Sequence, residues 1–211
     1  MSVLVPMVII IENVSFSDAF RYPFKKPKRL LYALFLLIPI FGWLILFGYL
    51  ARLVNEFIEG RYEEPIKLNI MDDMSLGFTI FLKSLPFIIV YIIVISAVNY
   101  ASETFGILLN LLLSVFIIPI LQVNFYRKQT IESYFEFDVL NIVKDNLGSY
   151  VVVILKQYAL AIIFLVLSVV LIGIPALFFT GTIFIANFYG KCTETKNIFV
   201  SKPEYEDQVP V

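Results

Sequence analysis

Apolar residues in this chain gather into long blocks rather than falling at amphipathic spacing, and the blocks show most clearly as gaps between charges. No Asp, Glu, Lys or Arg stands between Arg29 and Arg52, a run of 22 residues. The runs from Lys83 to Glu103, Glu103 to Arg127 and Lys156 to Lys191 hold 19, 23 and 34 uncharged residues. About 20 apolar residues, rising ~1.5 Å each, cross a hydrocarbon core of ~30 Å. A charge at the centre of such a helix costs on the order of 2.5–3.5 kcal/mol on insertion. Four such gaps therefore predict an all-α, polytopic helical membrane protein with about five transmembrane helices.

The predicted spans are 30–51, 76–101, 105–126, 149–172 and 174–190, inside a transmembrane domain over 30–191. Residues 1–29 read as an interfacial N-terminal segment. Residues 3–11 are too few to span, and Met1–Met7 lacks the basic start and small-residue cleavage site of a signal peptide. Phe16, Phe20, Tyr22 and Phe24 alternate with Asp18, Arg21, Lys25 and Lys26, a mixture that suits headgroups. Residues 52–75 and 127–147 are polar and predicted to lie in water. The polar tail, 192–211, is expected to be disordered.

The two later hairpins resemble one another. Asp72-Asp73 and Gly77 precede Leu82-Lys83 and an apolar run; Asp145-Asn146-Leu147-Gly148 precedes Leu155-Lys156 and another. The first pair of helices closes on Asn124-Phe125-Tyr126-Arg127-Lys128, the second on Asn187-Phe188-Tyr189-Gly190-Lys191. This reads as a duplicated hairpin unit: a capped helix start, a snorkelling lysine, and an interfacial Asn-Phe-Tyr end.

Side preference is legible except at the first block. Lys and Arg accumulate on the cytoplasmic side, which puts 127–156 and the segment after Lys191 inside and the 99–104 turn outside. A bend at Gly173-Ile174-Pro175 divides the last run into two spans. The first block carries bases at both ends: Lys25, Lys26, Lys28 and Arg29 before it, Arg52, Arg61 and Lys67 after it. One spanning helix cannot satisfy both. A re-entrant turn at Pro39–Gly42 would, but it leaves about ten residues per leg and non-helical backbone at depth. The favoured expectation is a plain or proline-kinked spanning helix. Trp43, the single tryptophan, lies beside Gly42 and is placed to pack against such a bend or to mark a re-entrant tip.

Composition narrows function by exclusion. The chain is 60% hydrophobic and 16% charged, with a net charge of −1, so no electrostatic case exists for nucleic acid. There is no histidine, which removes the usual near-neutral acid–base group and commonest metal ligand. The one cysteine, Cys192, makes neither a disulfide nor a thiolate metal site. No phosphate loop or nucleophile elbow occurs. Catalytic residues, metal and cofactors are therefore expected to be none. Asp72-Asp73 read as helix caps in preference to a cation site. Deep in the spans only neutral polar residues occur, Ser96, Ser114, Ser168 and Thr182 among them. Asn110, Gln122, Asn124, Thr180 and Asn187 are the candidates for an intramembrane polar site, with interhelical hydrogen bonding as the simpler role.

Ser17-Asp18-Ala19-Phe20-Arg21-Tyr22-Pro23-Phe24, then Leu37-Ile38-Pro39-Ile40-Phe41-Gly42-Trp43 and Gly48-Tyr49-Leu50-Ala51-Arg52, resemble a known pattern. The chain is similar, over most of residues 15–192, to the membrane proteins grouped as domain-of-unknown-function family 4013. That resemblance implies a multi-helix membrane domain, best represented in archaea, and brings no established activity, cofactor or catalytic residue. The expectation is a non-enzymatic, multi-pass cell-membrane protein whose partner is the lipid bilayer, serving as a structural or accessory envelope component. The alternative is a small-solute or lipid transporter built from the duplicated hairpins. Protein partners are not legible in the sequence.

Overall fold

A computed structural model describes residues 12–170 and 173–200, and every regular element among them is helical. Five helices in this part are long and apolar enough to cross a membrane: Phe41–Ile58, Ile70–Ala101, Glu103–Lys128, Leu147–Leu167 and Gly173–Thr193. The chain is a polytopic helical membrane protein. The interfacial reading of residues 3–11 and the tail reading of 201–211 fall outside the described residues.

After a short helix α1 (Phe16–Arg21), capped by the Ser15 side chain, the first apolar block departs from the favoured single helix. Pro27–Leu37 forms a 3₁₀ helix, the chain reverses, and α2 (Phe41–Ile58) returns beside it. The cause is local. Pro39 forces the preceding Ile38 into extended backbone (φ −99°, ψ 99°). Ile40 then turns at φ 67°, ψ −71°, and the Phe41 N–H donates to the Pro39 carbonyl at 2.8 Å. That is a three-residue γ-turn, a strained conformation for a β-branched side chain. Gly42 lets the legs close: a Cβ there would collide with the Phe35 carbonyl. Trp43 Nε1–H donates to the Leu36 carbonyl at 3.0 Å, so the tryptophan packs against the bend.

The legs stay together to their ends. Arg29 Nε donates to the Tyr49 hydroxyl at 2.9 Å, and Lys25 Nζ to the Glu63 carbonyl at 3.5 Å. Both basic flanks therefore meet at one end of a hairpin, which removes the charge conflict that a single spanning helix creates. The tip residues Leu37, Ile40 and Phe41 are exposed and apolar, the surface that lipid accepts. Eleven residues at ~2.0 Å give the 3₁₀ leg roughly 22 Å, longer than the ten-residue helical leg the sequence suggested.

Helix α2 also runs seven residues beyond the predicted end at 51, burying Leu53, Val54, Phe57 and Ile58. Charge does not stop it because Arg52 is paired: Nε and Nη2 reach the two Asp73 carboxylate oxygens at 2.6 and 2.8 Å. Helix α3 (Ile70–Ala101) begins six residues before its predicted start at 76. Asn69 is its N-cap residue, and its N–H donates to Asp73 Oδ2 at 2.7 Å. Asp73 thus caps one helix and pairs with another while fully buried. Helices α2 and α3 lie in backbone contact: a Cβ on Gly48 would meet the Asp73 carbonyl, and one on Gly77 the Leu44 carbonyl.

The third apolar run is interrupted. Helix α4 (Glu103–Leu112) widens into a π-helical turn, Leu113–Ile117, before α5 (Ile118–Lys128). Pro119, which lacks an N–H to donate back along the ladder, follows immediately. Short helix α6 (Leu140–Asp145) leads into α7 (Leu147–Leu167). The expected bend at Gly173-Ile174-Pro175 does not fall at those residues: Gly173 opens α8 (Gly173–Thr180), with Pro175 in the first turn where a missing N–H is harmless. After Gly181-Thr182, α9 (Ile183–Val200) continues well past 192, because no proline occurs before Pro203. The fully buried aromatic core, including Tyr22, Tyr49, Phe57, Phe125, Tyr150, Phe164 and Phe179, joins α2, α5, α7, α8 and α9. The α3–α4 hairpin turns Ile89, Ile93, Leu108 and Leu111 outward.

Candidate functional site

The five predicted polar residues do not converge. Asn110 Oδ1 accepts from the Tyr91 hydroxyl and ties α4 to α3. Gln122 Nε2 donates to the Tyr126 hydroxyl one turn on, at 2.9 Å. Thr180 Oγ1 donates back to the Ala176 carbonyl at 2.8 Å. Asn124 and Asn187 share a role that the repeat foreshadowed: each pins a polar segment to the end of its hairpin. Asn124 Nδ2 donates to the Ser133 carbonyl at 2.7 Å and to Glu136 Oε2 at 3.1 Å, while its Oδ1 accepts from the Tyr189 hydroxyl at 2.8 Å. Asn187 accepts from the Val14 N–H at 3.1 Å and donates to the Glu12 carbonyl at 3.0 Å, holding the incoming chain.

More consequential is Gln157, absent from the predicted set. It sits on α7, buried, opposite the break between α8 and α9. Its Nε2 donates to the Thr180 carbonyl at 2.7 Å and its Oε1 accepts from the Phe184 N–H at 3.2 Å. One side chain thus satisfies a carbonyl on one side of the break and an N–H on the other. The same helix serves the π-helical turn, where the Tyr150 hydroxyl donates to the Phe116 carbonyl at 2.7 Å. The second helix of each hairpin is therefore interrupted, and both interruptions are closed by α7.

Arg29, which the sequence presents as a flanking charge, is buried at 4% exposure. Its guanidinium lies 4.9, 5.8 and 6.0 Å from the ring centres of Tyr22, Tyr49 and Phe179 and donates to both tyrosine hydroxyls. Nη1 has no hydrogen-bond partner. The cation–π contacts fasten the 3₁₀ leg to α2 and α8.

Two concavities flank the Asn residues. A cleft of about 680 Å³ lies among α2, α5, α9 and the 129–142 segment, lined by Glu59, Asn124, Arg127, Lys128, Glu136 and Tyr189 among others. Its cations are neutralised: Arg127 pairs with Glu59 and Lys128 with Glu136. The Lys128 hydrogen bond, then that from Asn124, holds the Glu136 carboxyl below its ordinary value. A smaller groove of about 320 Å³ lies beside Asn187 and Lys156. Among the described residues no cluster of His, Cys, Asp and Glu could hold a metal ion. Cys192 is free and half-buried on α9. The arrangement is suited to holding helices and loops together.

A family model described as a protein of unknown function (DUF4013) matches residues 31–178. No curated protein and no solved structure matches the chain.

Proposed function

The chain belongs to the DUF4013 family, and from that premise we propose that it is a non-enzymatic structural or accessory component of the envelope, resident in the cell membrane. The observation that carries this reading is the internal use of its deep polar groups. Gln157 is consumed by the α8–α9 break, Ser114 and Ser168 bond to their own helices, and Asn110 bonds to Tyr91. A solute path through the bilayer needs polar groups free to exchange one partner for another, and these are engaged.

A transporter is the second reading, favoured by the matched interruptions in the two hairpins, since broken helices in corresponding halves are where transporters place their sites. Reconstitution separates the two. Proteoliposomes should show no solute flux and no lipid scrambling above protein-free vesicles, and loss of the protein from its native cell should weaken the envelope. Flux that Gln157→Leu abolishes would replace the accessory role with transport. An envelope unchanged by deletion would also overturn it.

A further inference from the structure

The smaller groove lies between the incoming chain at Asn13–Val14 and the first turns of α7 and α9. Val152 and Val153 on α7 and Phe184 and Phe188 on α9 give it an apolar side, and Asn13, Ser149, Lys156 and Asn187 supply its polar groups. Lys156 makes no hydrogen bond or ion pair with the described residues. Its counterpart in the sequence repeat, Lys83, is engaged: its ammonium donates to the Gln129 carbonyl at 2.8 Å, just past the end of α5. The difference follows from helix length. Helix α5 stops at Lys128 and leaves a carbonyl free, whereas α9 continues to Val200 and keeps its carbonyls in its own ladder. Lys156 is thereby left as a cation without an acceptor beside the apolar side of the groove. The larger cleft differs, because its cations are already paired with Glu59 and Glu136.

We propose that this groove binds an anionic phospholipid, with the phosphate at Lys156 and the Ser149 hydroxyl and an acyl chain along Val152, Val153 and Phe184. An ammonium beside an apolar wall gains most from a partner carrying both a negative group and a hydrocarbon chain. A zwitterionic lipid brings its own cation and fits less well. A pocket near 300 Å³ is also within the range that takes a small headgroup.

Native mass spectrometry of the full chain in detergent, titrated separately with phosphatidylglycerol, phosphatidylcholine and inorganic phosphate, tests the assignment. Phosphatidylglycerol should be retained about tenfold better than phosphatidylcholine, the worth of one charge-assisted contact. Lys156→Gln should abolish that preference, and Lys144→Gln, an exposed cation outside the groove, should preserve it. Val152→Trp, which fills the groove without changing charge, should lower phosphatidylglycerol binding. Wild-type selectivity in Lys156→Gln overturns the proposal. If that variant fails to fold, unchanged binding in Val152→Trp overturns it instead. Displacement of the lipid by millimolar inorganic phosphate would make this a free-anion site and refute the lipid assignment.

Discussion

Replacing Gln157 with leucine removes both hydrogen bonds at the α8–α9 break while nearly conserving side-chain volume. The Thr180 carbonyl and the Phe184 N–H then lose the partners now at 2.7 and 3.2 Å. A buried polar group left without a partner costs ~1–3 kcal/mol, so two would cost roughly 2–6. The membrane tempers this, because an unfolded chain in lipid also finds partners, and ordinary interhelical bonds there average ~0.6 kcal/mol. The main-chain groups at a break have no ladder to fall back on, which places the expected loss at about 2–4 kcal/mol. The assay is unfolding in mixed micelles with increasing SDS, followed by far-ultraviolet circular dichroism. Ser168→Ala is the control: Ser168 Oγ bonds to the Phe164 carbonyl in its own helix at 2.8 Å, and its loss should cost less than ~0.5 kcal/mol. A Gln157→Leu protein within ~0.6 kcal/mol of wild type would mean that the break is satisfied otherwise, and would refute the reasoning.

Gly48→Leu should separate α2 from α3, costing about 3 kcal/mol in the same assay, whereas Gly181→Ala, whose added methyl would lie 3.5 Å from its nearest neighbour, should be close to neutral. Ile40→Gly relieves the positive φ at the hairpin tip and should add about 1 kcal/mol of stability after its own chain-entropy cost. Glu136 supplies a pH dependence. Its folded pKa lies below the ordinary 4.5, so its contribution is full above that value and is lost as pH falls through the lower folded pKa. With 38% of its side chain exposed, the effect is small, under ~1 kcal/mol. It should appear as faster amide exchange in residues 130–136 at low pH, after correction for intrinsic rates. Glu136→Gln should remove that pH dependence.

The presence of several long apolar helices was legible because charge gaps depend only on the cost of burying a charge. Asn124 and Asn187 were legible because each stands before a Phe-Tyr pair at the end of an apolar run. What the sequence concealed depends on contacts between distant residues. Helix α2 extends through Arg52 only because Asp73, 21 residues later, accepts its guanidinium. Arg29 counts as a flanking charge until the rings of Tyr22, Tyr49 and Phe179 enclose it. The reversal at Ile40 was signalled by Pro39 and Gly42, but its form was not, because a positive φ at a β-branched residue runs against local propensity. Gln157 did carry a signal: it is the first residue of the 34-residue uncharged run, and Gly181-Thr182 in the same run marks the break it closes.

The hairpin over residues 27–58 is the central claim, because it reverses the favoured expectation and decides on which side the N-terminal segment lies. Single cysteines at the exposed positions Ser17 and Glu64, each in a Cys192→Ser background, can be tested with a membrane-impermeant thiol reagent on intact and on opened cells. The hairpin predicts that both positions react from the same side of the membrane. Labelling from opposite sides would mean that the segment crosses once, and would contradict the account.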